Sequence, residues 1–306
     1  MTTPAPPGLV RPDTDPLPDP APLAAGIGHV RRAVEYCAPA GYRPLQLDLY
    51  TPVGSATPPP VVLFVHGGGW QLGTRKVFCP TWRHWSPDPF HRLVGAGFAV
   101  ASIDYRLSGE AVFPAQLHDA RAAVRWLRAR SGELGVDTDR IVAWGESAGA
   151  HLAALVGLTA GRGGEPDGEP IPAGAVLGVV DWYGPADLTT MGSQALPNAV
   201  ARADAPDSRE SLLLGASPAA APERARAASP VSYVHPGAPP FHIAHGTEDR
   251  FVPAAQSRQL ADALRAAGVP VELALIPGSD HMWIDAPDPD AILDAAVDFA
   301  RRTTGA

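Results

Sequence analysis

The stretch Ile141-Val142-Ala143-Trp144-Gly145-Glu146-Ser147-Ala148-Gly149-Ala150-His151-Leu152-Ala153-Ala154-Leu155-Val156 decides the fold. Ile141 to Trp144 is an apolar run of strand length, and His151 to Val156 suits a helix. Between them, Gly-x-Ser-x-Gly marks a sharp strand-to-helix turn that presents a serine hydroxyl. Such a turn needs small residues two positions either side of the serine, because a side chain there would strike the neighbouring strand or helix. Gly145 and Gly149 meet that need. The motif is short enough to recur by chance, so its weight depends on partners elsewhere in the chain.

Three segments supply them. His66-Gly67-Gly68-Gly69-Trp70 follows Val61 to Val65, a continuous apolar run that reads as a strand buried on both faces. Glycines let main-chain N–H groups approach a reacting oxygen, and Gly68 and Gly69, with the amide of Ala148, are the candidate oxyanion donors. Phe241 to Gly246 reads as a strand delivering Thr247-Glu248-Asp249, where either acid could hold an imidazole in one tautomer. Val271 to Ile276 is a further strand, and Pro277-Gly278-Ser279-Asp280-His281 follows its end, which makes His281 the candidate base for Ser147. The other nine histidines have structural readings at least as good: His66 buttresses the glycine turn, His118 and His151 sit on helices, and His242 and His245 belong to a strand. No H-x-x-x-H or paired-cysteine spacing suggests zinc, and no cofactor is expected.

Composition narrows the classes. With 306 residues, 45% apolar and 18% charged, the chain can bury a sizeable core. A net charge of -8, with Lys76 the one lysine among 24 basic residues, argues against a nucleic-acid partner. Cys37 and Cys79 read as thiols. The N-terminus lacks a charged region followed by an apolar one, and no stretch approaches 18 apolar residues. No membrane association is therefore expected, and a cytoplasmic protein is the default. Eight of the 35 prolines fall within the first 22 residues, so residues 1–25 read as an extended arm and 26–306 as a single domain.

Leu45 to Tyr50 alternates with period two, which predicts a half-exposed antiparallel strand toward a sheet edge. A helix near Phe90 to Ala96, a strand over Phe98 to Ile103 and a helix over Ala115 to Ala129 follow; Arg121, Arg125 and Arg128 of the last are expected in solvent. Ala175 to Asp181 predicts a strand, and Ala254 to Ala267 and Ala291 to Arg302 predict helices. This alternation demands an α/β class with a mainly parallel sheet and helices on both faces, and it gathers functional residues beyond the strand C-termini. Two segments interrupt it, Trp70 to Pro89 and Asp187 to Pro236. Leu212-Leu213-Leu214-Gly215 suggests one short helix in the second, so residues 187–236 read as a cap-like insertion. Asp280 and Asp285 to Asp290 read as a solvated turn.

With these residues in place, the chain from about Leu45 to Phe299 resembles esterases of the α/β-hydrolase superfamily. It is most similar to the compact carboxylesterase branch that includes bacterial feruloyl and acetyl-xylan esterase-like proteins. The resemblance rests on His66 to Trp70, Asp104-Tyr105-Arg106-Leu107, Gly145 to Gly149 with His151-Leu152-Ala153, Ser229-Pro230-Val231-Ser232-Tyr233, Pro239-Pro240, His245 to Asp249, and Gly278 to His281. Hormone-sensitive-lipase-like esterases typically carry Asp where Glu146 stands. Type-B carboxylesterases share Gly-Glu-Ser-Ala-Gly but are much longer, and kynurenine-formamidase-like enzymes have a similar glycine loop. The resemblance implies Asp249 as the acid and a Ser147, Asp249, His281 triad in α/β-hydrolase order, unlike the orders of chymotrypsin and subtilisin. It implies hydrolysis of small-molecule carboxylic esters through an acyl-enzyme. Because the same acyl-enzyme can be released by amine, alcohol or water, amide hydrolysis and acyl transfer stay open. A catalytically silent, ligand-binding relative would usually have lost a triad member, and all three positions are filled here. Trp70, Trp82, Trp85, Trp182 and Trp283 lie in or beside segments leaving strand C-termini, which predicts a pocket for a bulky apolar or aromatic acyl or alcohol group.

Overall fold

Every residue of Pro60–Val65 is buried, as a continuous apolar run requires. The structure, a computed structural model, describes residues 9–10, 15–162 and 169–306 and sets this strand inside a ten-stranded sheet. In chain order the strands are β1 (Leu9–Val10), β2 (Ala21–Pro22), β3 (Gly28–Ala38), β4 (Leu45–Pro52), β5 (Pro60–Val65), β6 (Ala99–Ile103), β7 (Asp137–Glu146), β8 (Gly178–Trp182), β9 (Phe241–Gly246) and β10 (Val271–Ile276). In space they run β1-β3-β4-β6-β5-β7-β8-β9-β10, with β2 paired to β3 off this path. β4 pairs antiparallel with β3 and β6, and every neighbouring pair from β6 to β10 is parallel.

The helices are α1 (Pro89–Gly95), α2 (Ala115–Ala129), α3 (Ser131–Leu134), α4 (Ala148–Leu158), α5 (Arg209–Leu214), α6 (Pro222–Ala227), α7 (Ala255–Ala266) and α8 (Pro289–Thr304). The period-two alternation of β5 separates two cores. Val61, Leu63 and Val65 pack with α2, α4 and α7, whereas Val62 and Phe64 pack with α1 and α8. Helices therefore cover both faces of a mainly parallel sheet, the α/β class expected from the alternation. Among the described residues, no helix is long and apolar enough to cross a membrane.

Several expectations are corrected. β4 pairs antiparallel and lies toward one edge of the sheet, as expected, but it is not half-exposed: Asp48 is fully buried, and β3 lies outside it. The sequence hides β3 because two register shifts, at Arg31/Val34 and Glu35/Cys37, break its alternation, and Ala33 takes a φ of 57°. Arg121 is buried and Arg125 and Arg128 are half-buried, the latter two pairing with Glu169 and Asp139, so α2 carries none of the three arginines fully in solvent. Residues 187–236 hold α5, α6 and a 3-10 turn at Pro230–Tyr233, where one helix was expected. Leu9–Val10 and Ala21–Pro22 of the N-terminal arm add to β3, while residues 1–8 and 11–14 of that arm lie outside the described residues. Cys37 and Cys79 stand as buried thiols.

Candidate active site

Glu146 ends β7 and Ala148 opens α4, so Ser147 alone makes the turn, with φ 54° and ψ −120°. That conformation is rare for a residue with a side chain and is held by its surroundings. Ser147 N–H donates to Trp182 O at 2.8 Å. A β-carbon on Gly149 would lie 2.0 Å from Val65 O, and one on Gly145 would lie 2.2 Å from the carbonyl of Gly149, which is why both positions need glycine.

His281 follows β10 and Asp249 follows β9, and the parallel pairing of those strands brings the two loops together. His281 Nδ1 lies 2.6 Å from Asp249 Oδ2, and its Nε2 lies 3.0 Å from Ser147 Oγ. An ionised carboxylate only accepts, so Nδ1 carries the proton and the Nε2 lone pair faces the serine hydroxyl. The three predicted residues, 134 and 32 positions apart in sequence, thus form one hydrogen-bonded row. Asp249, rather than Glu248, is the acid in that row.

Asp249 is 1% exposed and has four donors. Oδ1 accepts from Phe251 N and Val252 N, each at 2.8 Å, and Oδ2 also faces His245 Nε2 at 3.2 Å. Burial pushes this carboxyl up, but the charge of His281 and the bonds from both histidines outweigh it and hold Asp249 well below the usual carboxylate range. His245 Nε2 also meets Val252 O at 2.9 Å, so it must be the N–H donor, and Nδ1 then accepts from Ser257 Oγ at 2.6 Å. His245, read from sequence as a strand residue, is therefore a second imidazole on the acid. Nothing but its place four residues before Asp249 could have pointed to it.

Asp280 is not a solvated-turn residue. Its Oδ1 accepts from His281 N at 2.7 Å and Arg250 N at 2.9 Å, and its Oδ2 accepts from Arg250 Nε at 2.6 Å, which clips the histidine loop to the acid loop. The histidine loop is strained beyond this point, with φ of 60° at Met282, 62° at Trp283 and 59° at Asp285. Thr81 Oγ1 donates to Met282 O at 2.6 Å, so the excursion after Trp70 supports that loop.

The glycine loop leaves β5 beside the serine. Gly67 N–H donates to Glu146 Oε1 at 2.7 Å, tying the loop to the residue before Ser147. Burial raises the Glu146 carboxyl, opposed by His281 and by that N–H. Gly68 and Gly69 have φ of 105° and 61°, and Gly68 O accepts from Gln71 N and Leu72 N at 3.1 and 3.2 Å in a tight turn. Ala148, first in α4, has an N–H with no intrahelical partner. Farther along, Arg75 donates to Asp48 Oδ1 at 2.8 Å and Asp104 Oδ2 at 2.6 Å, pinning the excursion to β4 and the end of β6.

Gly68, Gly69, Ala148, Ser147 and His281 line one cleft of about 230 Å³. Of the five tryptophans expected there, only Trp70 reaches it. Trp70 Nε1–H donates to His151 Nδ1 at 3.3 Å, and His151 Nε2–H donates to Ala228 O at 2.6 Å, a neutral ring whose pKa burial lowers to about 4. Trp82, Trp182 and Trp283 are instead buried in the layer shared with α1 and α8, where Trp85 stacks on Trp82 at 4.4 Å and Trp182 meets Trp82 and Trp283 at 5.3 and 5.4 Å. A position near a strand's C-terminus does not say which face of the sheet a ring takes. Among the described residues, no group of three or more His, Cys, Asp or Glu is arranged to hold a metal.

Known proteins resemble this chain in sequence and fold. The chain is 35% identical over 232 residues to esterase LipQ of Mycobacterium tuberculosis, covering 73% of this chain and 50% of LipQ. It is 32% identical over 286 residues to esterase LipC of the same organism, covering 90% of this chain and 67% of LipC. It thus spans half the length of one of these relatives and two thirds of the other. A solved structure described as a truncated form of carbohydrate esterase from gut microbiota superposes with a TM-score of 0.76 at 27% identity, covering 93% of this chain and 99% of that one. The BD-FAE family profile matches residues 47–264, from within β4 to within α7. That span takes in the glycine loop, the serine turn and the acid loop, and with its α/β-hydrolase fold the chain belongs to the BD-FAE family.

Proposed function

We propose that this protein is a serine-dependent carboxylic ester hydrolase acting on small-molecule esters through an acyl-enzyme. The single observation that carries the reading is the unbroken row Ser147 Oγ, His281 and Asp249, with separations of 3.0 and 2.6 Å. The esterase names of LipQ and LipC support it. His281 Nε2 takes the proton of Ser147 as the hydroxyl attacks the ester carbonyl, then gives it to the leaving alcohol; water repeats the sequence on the acyl-enzyme. Asp249, kept ionised by its four donors, fixes the tautomer and stabilises the imidazolium. Gly68, Gly69 and Ala148 supply main-chain N–H groups to the oxyanion. General base action contributes about 10² to 10⁴-fold, and each oxyanion donor about 10² to 10³ in turnover.

Leu72, Met191, Phe251 and Met282 line the cleft and favour an apolar acyl or alcohol group. Of the tryptophans, Trp70 joins them. On this reading residues 26–306 are one domain and 187–236 its cap, since Met191 and Arg209 bring that segment to the cleft. The buried Cys37 and Cys79 thiols suit a reducing, cytoplasmic setting. Hydrolysis of p-nitrophenyl acetate, butyrate and octanoate tests the proposal: Ser147→Ala should lower kcat at least about 10⁴-fold with an unchanged thermal melt. Undiminished turnover in that variant would overturn it.

A further inference from the structure

Arg209 is the one lysine or arginine among the residues lining the cleft that holds Ser147 and His281. It opens α5, on the segment proposed as the cap. Its position is set by packing on two elements of the site. A β-carbon on Gly69 would fall 2.1 Å from Arg209 Cδ, so the aliphatic stem lies directly on the main chain of the glycine loop. The guanidinium sits over the ring of Phe251 at 5.2 Å from its centroid, and that ring lies 5.3 Å from the ring of His281. Gly69 thus serves twice, taking a φ of 61° and leaving room for an arginine stem.

Among the described residues, Arg209 forms no ion pair, although many of the other arginines do: Arg75, Arg106 and Arg250 each hold a carboxylate within 2.8 Å. The acidic side chain nearest it in sequence, Glu210, is 4% exposed and lines the same cleft. Burial pushes the Glu210 carboxyl toward its neutral form, against the pull of Ser208, its own backbone and Arg209. A guanidinium presents five donors in a planar fork that matches an oxyanion, and here the fork is exposed, braced and without a carboxylate partner.

We infer that Arg209 is a specificity-determining residue, and that the preferred substrates are esters bearing a second, anionic group such as a carboxylate a few bonds from the scissile carbonyl. This inference rests on the esterase reading and narrows it. The apolar walls take the linker between the two groups, and Arg209 takes the free carboxylate at the rim. Charge-assisted hydrogen bonds of this kind change kcat/KM about 10- to 100-fold when lost.

The test uses two matched pairs of esters with the full chain. Monoethyl adipate against ethyl hexanoate places the charge on the acyl side, and 4-acetoxybutanoate against butyl acetate places it on the alcohol side. The native enzyme should prefer the charged member of one pair. Arg209→Gln should lower kcat/KM for that charged ester about 10- to 100-fold and change its neutral partner less than about threefold. Arg209→Lys should restore part of the preference, and raised salt should weaken it, because the cation is exposed. Equal losses on charged and neutral esters in Arg209→Gln, or no charge preference in either pair, would overturn the inference while leaving the esterase intact. Failure to hydrolyse any of the four esters would count against the esterase reading instead.

Discussion

Asp181 offers the sharpest stability prediction. It lies in β8, 1% exposed, and its Oδ1 accepts Gly184 N–H at 2.9 Å. Burial raises its pKa from 3.8 to about 6, opposed by that N–H and by the charge of His245. The native carboxyl therefore keeps its proton to higher pH than the unfolded one. Between these two values the native state binds more protons, so stability falls as pH rises through the window, and the loss is complete above about 6. The two pKa values correspond to about 3 kcal/mol of destabilisation at pH 8, of which about half is already present at pH 5. Asp181→Asn keeps an oxygen for Gly184 and abolishes the ionisation. Any fixed cost of burying the amide is the same at both pH values and cancels. Urea unfolding of both proteins at pH 5 and pH 8 should show the variant gaining about 1 kcal/mol on the native chain between the two conditions. A stability difference that does not change with pH would refute the reasoning.

Two further substitutions probe the site's supports. His245→Leu removes a donor from Asp249, whose carboxylate then binds protons more tightly. The acid limb of kcat/KM should move to higher pH, with kcat reduced about tenfold or more at little change in KM, and His245→Gln should restore much of both. Gly67→Ala places a β-carbon 2.2 Å from Glu146 Oε1 and so breaks the bond that holds the glycine loop against the serine turn. Turnover on p-nitrophenyl butyrate should fall about 10²-fold, the effect of a displaced oxyanion donor, while the protein stays folded by circular dichroism.

The sequence made the serine turn, the glycine loop and both delivering strands legible because each is encoded locally. Gly145 is required by the carbonyl of Gly149 four residues on, Gly149 stands in the same short motif although what it clears is Val65 O on the neighbouring strand, and Val61 to Val65 reads as a doubly buried strand. β3 was illegible since its bulges scramble the alternation, and Asp48 misled because a buried, arginine-paired aspartate looks like a solvent-facing one in a period-two pattern. The tryptophans show the same limit for side chains. Their places along the chain are legible, but the face each ring takes is settled by packing among Phe78, Trp144 and Trp182. His245 stands only four residues before Asp249, a spacing that assigns it no role by itself, and Asp280 owes its part to loops from two strands meeting, which no local spacing encodes.

The central claim is that Ser147 is made nucleophilic by the His281–Asp249 pair. Incubation with a fluorophosphonate, followed by intact mass and peptide mapping, tests it most directly. The account predicts one adduct per chain, on Ser147, absent in Ser147→Ala and formed far more slowly in His281→Gln. A native protein that stays unlabelled, or carries the adduct elsewhere, would contradict it.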